Sequence, residues 1–217
     1  MDFDFRTLER MDRYKLLVSS IVPRPIALVT TVSKDGIVNS APFSFFNAVS
    51  SEPPLVVLGL EVTDYAPRKD TGDNIRDTGE FVVSLVSEAI APNMNLCAAD
   101  FPADEDEMAE SGLTAMPSTI VKPPYIRESP VSFECKRMTT MEVGTGNRVV
   151  IGEVVYMHID DRFIDSEKMY VDAPAMQLIG RMHGRGWYVK TGDAFDMPRI
   201  DYKVWAAERD RKRGPQG

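Results

Sequence analysis

A chain of 217 residues, 43% of them hydrophobic, has the length and composition for one sizeable globular core. A net charge of -8 argues against nucleic acid as a partner, and leaves any anionic ligand to a local cluster of donors and cations. Two cysteines, Cys97 and Cys135, and two histidines, His158 and His183, stand too far apart for a disulfide framework or a metal-ligand set, so reduced thiols in a cytoplasmic protein are expected.

The first six residues are acidic and carry no apolar stretch, so no signal peptide is expected. Residues 1–20 read as a short amphipathic lead-in with Leu8, Met11, Leu16 and Leu17 as its apolar points. Residues 26–33 are β-branched and apolar, which predicts a strand. Lys34-Asp35-Gly36 supplies the tight turn, and residues 37–42 the partner strand. Further strands are expected at 55–60 and 80–86. The first of these is the longest apolar run, much too short to span a bilayer, so no membrane partner is expected. Residues 73–78 predict a short helix ended by Gly79. Residues 87–99 predict a second helix, whose regularity Pro92 limits. The stretch 100–125, acidic and then proline-rich, should cross the surface.

Val131, Phe133 and Cys135 alternate with Ser132, Glu134 and Lys136, the period of a half-buried strand with its polar side chains outward. The phase breaks at 136–137, where a bulge is expected. Residues 144–147 form a hairpin loop into a strand over 148–159. Residues 206–217 are charged and end in Gly-Pro-Gln-Gly, a composition that predicts a disordered tail after a single domain over 1–205. Strands outnumber helices and hairpins join them. The predicted fold is mainly β, an antiparallel closed or split barrel with a few short helices.

The run Ala41-Pro42-Phe43-Ser44-Phe45-Phe46-Asn47 is too polar for a core and too aromatic for a plain loop. A planar heterocycle needs such a surface, with apolar faces for its rings and fixed donors and acceptors for its edges. Lys69-Asp70-Thr71-x-x-Asn74 places a cation and small polar groups at the start of a helix. There free N–H groups and the helix dipole favour a phosphate, although Asp70 and Asp73 oppose it and Asp70 or Thr71 serves equally well as a cap.

These two blocks are followed in order by Val121-Lys122-Pro123-Pro124, Ser129-Pro130-Val131-Ser132-Phe133-Glu134-Cys135 and Val150-Ile151-Gly152-Glu153-Val154. Ile179-Gly180-Arg181-Met182 and Trp187-Tyr188-Val189-Lys190-Thr191 close the series. In this order they closely resemble the flavin reductase-like family, whose fold is the FMN-binding split barrel, of Greek-key type. The resemblance implies an FMN cofactor bordered by Ser44, Phe45, Phe46, Asn47, Ala48 and Ser51. It places the phosphate near Lys69, Thr71 and Asn74, with Thr30, Thr31 and Asn39 as secondary candidates. It also implies hydride transfer from NAD(P)H, a homodimer and, in some members, a monooxygenase partner. Arg181 and His183, in the glycine-rich 180–186 loop, are the candidates to meet the nicotinamide substrate. No residue stands out as nucleophile or general base, as suits chemistry carried by a cofactor. Two other readings share the fold: a pyridoxamine-phosphate-oxidase-like enzyme, whose usual basic phosphate cluster is not evident, and a non-enzymatic flavin carrier or sensor.

Overall fold

The computed structural model describes residues 1–62, 70–99 and 107–213. Its centre is a seven-stranded antiparallel sheet. β1 (Ala27–Val32) and β2 (Val38–Phe43) form the first hairpin, turned by Gly36 at φ +88°. β3 (Phe46–Ser51) and β4 (Pro54–Leu60) form the second. β5 (Glu80–Leu85), β6 (Val131–Val143) and β7 (Asn147–Ile159) complete the order β2-β1-β5-β6-β7-β4-β3.

β2 and β3 are consecutive in the chain, yet they lie at opposite edges of the sheet. Only Ser44 and Phe45 separate them, so the two edges stand at most about 11 Å apart where the chain crosses. The sheet must therefore curl into a barrel that stays split between β2 and β3. Phe45 seats against β4, where a Cβ on Gly59 would lie 2.8 Å from the Phe45 Cβ, so this crossing requires a residue without a side chain.

β1 is buried on both faces. Ala27 and Val29 point into the barrel with Leu58, Phe81, Val83, Cys135 and Val150. Ile26 and Leu28 point outward, under Ile90, Met94, Met108 and Ile126. α2 (Asp70–Thr78) caps one end of the barrel and inserts Ile75 into its core. It starts three residues earlier than the sequence predicts and ends at Gly79, at φ +75°, whose N–H bonds Ile75 O at 2.9 Å.

Several expectations are corrected. The lead-in forms α1 (Arg10–Ser20), but it buries Val18 rather than Met11 or Leu17. Residues 87–99 split into a single 3-10 turn, Glu88–Ile90, and α3 (Ala91–Leu96), with Pro92 in the first turn of the second piece, where a missing N–H costs least. The β6 bulge falls at Met138, which has no partner on β7 between the Ile151–Thr139 and Gly152–Arg137 pairs. Ser132 and Glu134 do not face solvent. Both are buried, because the 117–124 segment lies over that side of the sheet. The charged run read as a tail is helical through α5 (Tyr202–Arg213). Lys69 and part of the 100–125 crossing lie outside the described residues. No helix among the described residues is long and apolar enough to cross a membrane.

Candidate functional site

A cavity of about 530 Å³ opens at the end of the barrel opposite α2. Val56, Leu85, Phe133 and Val154 form its floor. These side chains pack on the barrel core, so the floor is continuous with the protein interior. Phe46, Asn47 and Ala48 form one wall, and Pro23, Pro25, Leu178 and Gly180 contribute the other. The size suits a small organic ligand, and the lining suits the apolar face of a ring system.

The Phe46 wall belongs to β3, an edge strand, so one row of its backbone N–H and C=O groups has no partner in the sheet. A register shift between Ala48 and Ser50 makes Val49 a bulge and leaves it exposed. An apolar floor beside an unpaired backbone edge meets both needs of a planar heterocycle.

The sequence-predicted residues separate into two groups at opposite ends of the barrel. Phe46, Asn47 and Ala48 line the cavity; Ser44, Phe45 and Ser51 flank them in the chain without lining it. At the α2 end, Asn39 Nδ2 donates to Thr71 Oγ1 at 2.9 Å, and Asn74 Nδ2 donates to Thr31 Oγ1 at 3.0 Å. These two bonds tie α2 to the first hairpin. Thr30 belongs to neither group. Its hydroxyl points to the other face of β1 and donates to Pro124 O at 2.5 Å. Ile26, at the cavity, and Thr31, at α2, are five residues apart on an extended chain, about 16 Å. A single ligand touching both groups must be long and must run outside the filled barrel core.

Arg24 holds the cavity wall together. Only 6% exposed, its guanidinium donates to Val18 O at 2.5 Å and Ile21 O at 2.9 Å, the end of α1, and to Met182 O at 3.2 Å. Its Nε donates to Ser44 Oγ at 3.3 Å, on the β2–β3 crossing. Burial pushes the Arg24 pKa down from its ordinary value, but an arginine remains charged in proteins. Nothing in the sequence marked Arg24 as the junction, because its partners are mostly main-chain atoms.

The glycine-rich loop joins β8 (Ile179–Arg181) to β9 (Tyr188–Lys190), and Gly180 places this hairpin on the cavity rim. It is anchored by Ile179 N to Val86 O at 3.0 Å and by the Lys190–Glu88 ion pair at 2.5 Å. Arg181 donates to Trp187 O, Gly184 O and Arg185 O and lies over the Tyr188 ring. Its guanidinium therefore shapes the loop from within. His183 is exposed and stacks on Trp187, with ring centroids 6.0 Å apart. Of the two candidates, His183 is the one presented to solvent.

Away from the cavity, Glu134 is fully buried and accepts N–H groups from Thr119, Ile120 and Val121 at 2.6–3.0 Å. His158 Nε2 lies 2.6 Å from its Oε1 and stacks on Tyr125. Burial alone would raise the Glu134 pKa; the three N–H groups and His158 outweigh it and hold the carboxyl below its ordinary value. Burial, reinforced by the neighbouring Glu134 charge, pushes the Cys135 thiol far up, so it stays protonated and is no nucleophile. Among the described residues no group of three or more His, Cys, Asp or Glu side chains is placed to hold a metal ion.

Residues 18–175 match the profile of the flavin reductase like domain. An uncharacterised protein of Deinococcus radiodurans is 41% identical over 209 residues, covering 94% of this chain and 91% of that protein. The crystal structure of 2-nitrobenzoate 2-nitroreductase NbaA from Pseudomonas fluorescens superposes with a TM-score of 0.84 at 35% identity, over 93% of this chain and 98% of that one. Nitrilotriacetate monooxygenase component B from Bacillus cereus gives 0.85 at 32% identity, over 91% and 98%.

Proposed function

The chain belongs to the flavin reductase-like family, and from that premise we propose that it is an FMN-binding oxidoreductase drawing reducing equivalents from NAD(P)H, active as a homodimer. One observation carries the reading: an apolar cavity of ligand size lies beside the unpaired backbone edge of β3. The donor chemistry fits the cofactor. Phe46 and Ala48 offer an apolar face, the β3 edge offers amides and carbonyls, and Asn39, Thr71 and Asn74 gather small polar groups where α2 begins. When bound, the flavin supplies the hydride acceptor. The chain's own work is to hold and orient. Arg24 fixes the crossing at Ser44, the cavity floor excludes water, and the 180–186 loop, rooted at the rim by Gly180, carries the exposed His183 for an incoming dinucleotide. The two solved relatives, named as a nitroreductase and as a monooxygenase component, suggest two outlets for the electrons: a small nitro-aromatic acceptor, or a partner monooxygenase that receives reduced flavin.

The test is direct. Protein loaded with FMN should keep the absorbance of oxidised flavin through gel filtration, and anaerobic NADH or NADPH should bleach it. Flavin that dithionite reduces but neither nicotinamide touches would identify a carrier instead. His183→Ala should slow nicotinamide-dependent bleaching while leaving FMN affinity unchanged.

The phosphate end gives a separate prediction. Lys69→Ala, and to a smaller extent Thr71→Ala, should weaken FMN but not riboflavin, which has no phosphate. Loss of a charge-assisted bond costs about 1.5–3 kcal/mol, roughly ten- to a hundredfold in Kd by titration. Equal weakening of both ligands would move the phosphate away from α2.

A further inference from the structure

We propose that Arg24 supplies a standing positive charge behind the cavity wall, which stabilises the negative charge that the flavin ring gains on reduction. The inference deepens the flavin reading above and rests on it.

Arg24 is a buried ion without a counter-ion. Charged side chains taken out of water are normally paired. This guanidinium instead donates to three carbonyls, Val18 O, Ile21 O and Met182 O, and to the Ser44 hydroxyl. Those dipoles satisfy its donors and leave its net charge in place. No carboxylate among the described residues forms an ion pair with it. Scarcity of acid is not the reason. The chain holds 33 acidic against 25 basic side chains, and the half-buried Arg148 does take one, Asp73 at 2.9 Å. Arg24 and Arg181 also stand directly opposite each other, where the Arg24–Pro25 strand meets β8. Like charges so placed cost stability. Arg181 too spends its donors on carbonyls, those of Gly184, Arg185 and Trp187. Two cations therefore share one rung, one of them buried, and neither has an acidic partner among the described residues.

The charge is tied to the lining. Pro23 and Pro25, on either side of Arg24, line the cavity. So do Gly180, two residues before Met182, and Phe46, two residues after Ser44. An apolar floor by itself disfavours an anion placed against it. A hydride brings two electrons and one proton. The ring that accepts it at N5 therefore holds one negative charge at N1, and the nicotinamide leaves as its oxidised cation. A fixed cation behind the wall offsets the desolvation of that charge and needs no rearrangement at the moment of transfer.

The experiment reads the ring without turnover, on the full chain loaded with FMN. Sulfite donates its lone pair to N5. An N–S bond forms, no group leaves, and one negative charge passes to N1, so sulfite affinity reports the same stabilisation. In Arg24→Gln, sulfite should bind roughly tenfold more weakly, the order of one unit charge acting across about 10 Å of protein. The two-electron potential should fall by the equivalent, about 30 mV. Arg24→Lys keeps the charge but not the four bonds. It should lose thermal stability, yet stay within about threefold of the wild type in sulfite affinity, well inside the tenfold expected of a lost charge. Arg24→Gln matching the wild type, or Arg24→Lys falling as far as Arg24→Gln, would reduce Arg24 to a structural tie and overturn the inference. Should Arg24→Gln fail to fold, the wild type decides: its potential should lie at or above that of free FMN, and a lower value overturns the inference. A folded protein that retains no FMN would instead sink the flavin reading itself.

Discussion

Glu134→Leu should destabilise the protein by about 3–5 kcal/mol, the cost of stripping a buried charge from partners left behind. Three backbone N–H groups, from Thr119, Ile120 and Val121, converge on this carboxylate, and leucine offers them nothing. The segment that carries them would have to rehydrate, which exposes the Ser132 side of the sheet. Thermal unfolding should show a midpoint about 10 °C lower. Glu134→Gln keeps one acceptor oxygen and should lose about half as much. The pH dependence has a definite sign. The folded-state pKa of Glu134 lies below its ordinary value of 4.5, so its contribution is fully present above about pH 4.5 and is lost as the pH falls through the lower folded value. Wild-type stability should therefore drop more steeply than that of Glu134→Gln between neutral pH and pH 3. Parallel acid profiles would show that the clamp does not hold the carboxylate as the hydrogen bonds indicate.

The second large effect is expected at Gly152. It sits in the middle of β7, and a Cβ there would collide with Phe81 Cζ and stand 2.7 Å from Phe81 Cε1, with Cys135 Cβ behind at 3.5 Å. Phe81 is fully buried at the centre of the barrel, so any swing of its ring must displace neighbouring core side chains. Gly152→Ala should cost about 2–3 kcal/mol, the upper part of the range for overpacking. Phe81→Leu removes the colliding edge, so the double variant should be more stable than the sum of the two single changes predicts. Urea unfolding of the four proteins gives that coupling directly. Purely additive losses would mean that the sheet, not the ring, absorbs the methyl.

The strands were legible because their information is local. Residues 26–33 and 37–42 carry β-branched side chains around a glycine turn, and Gly36 and Gly79 adopt the positive φ that their places after a strand and a helix demand. The two candidate ligand blocks were legible as blocks. Their separation to opposite ends of the barrel was not, because it depends on how a seven-stranded sheet curls rather than on spacing along the chain. The burial of Glu134 is illegible for a related reason. Alternation reports that one face of a strand is polar, but not that residues 117–124 return to cover it. The cavity draws on Pro23, Leu178 and Thr191, each ordinary in its own neighbourhood, and only the hairpin after Leu178 brings them together. The terminal helix is not legible, because a run dense in charge reads as unstructured whether or not it is helical.

Arg24 and Glu134 are both buried ions, and they respond differently to acid. A guanidinium bound to carbonyl and hydroxyl oxygens keeps its proton at every pH a cell or a test tube normally reaches. A carboxylate held by amides does not keep its charge. On acidification the proline-rich flap over β6 should come loose first, while α1, the Ser44 crossing and the cavity rim stay riveted. The molecule would lose its back before its mouth, and amide exchange followed down a pH series would show that order as two waves.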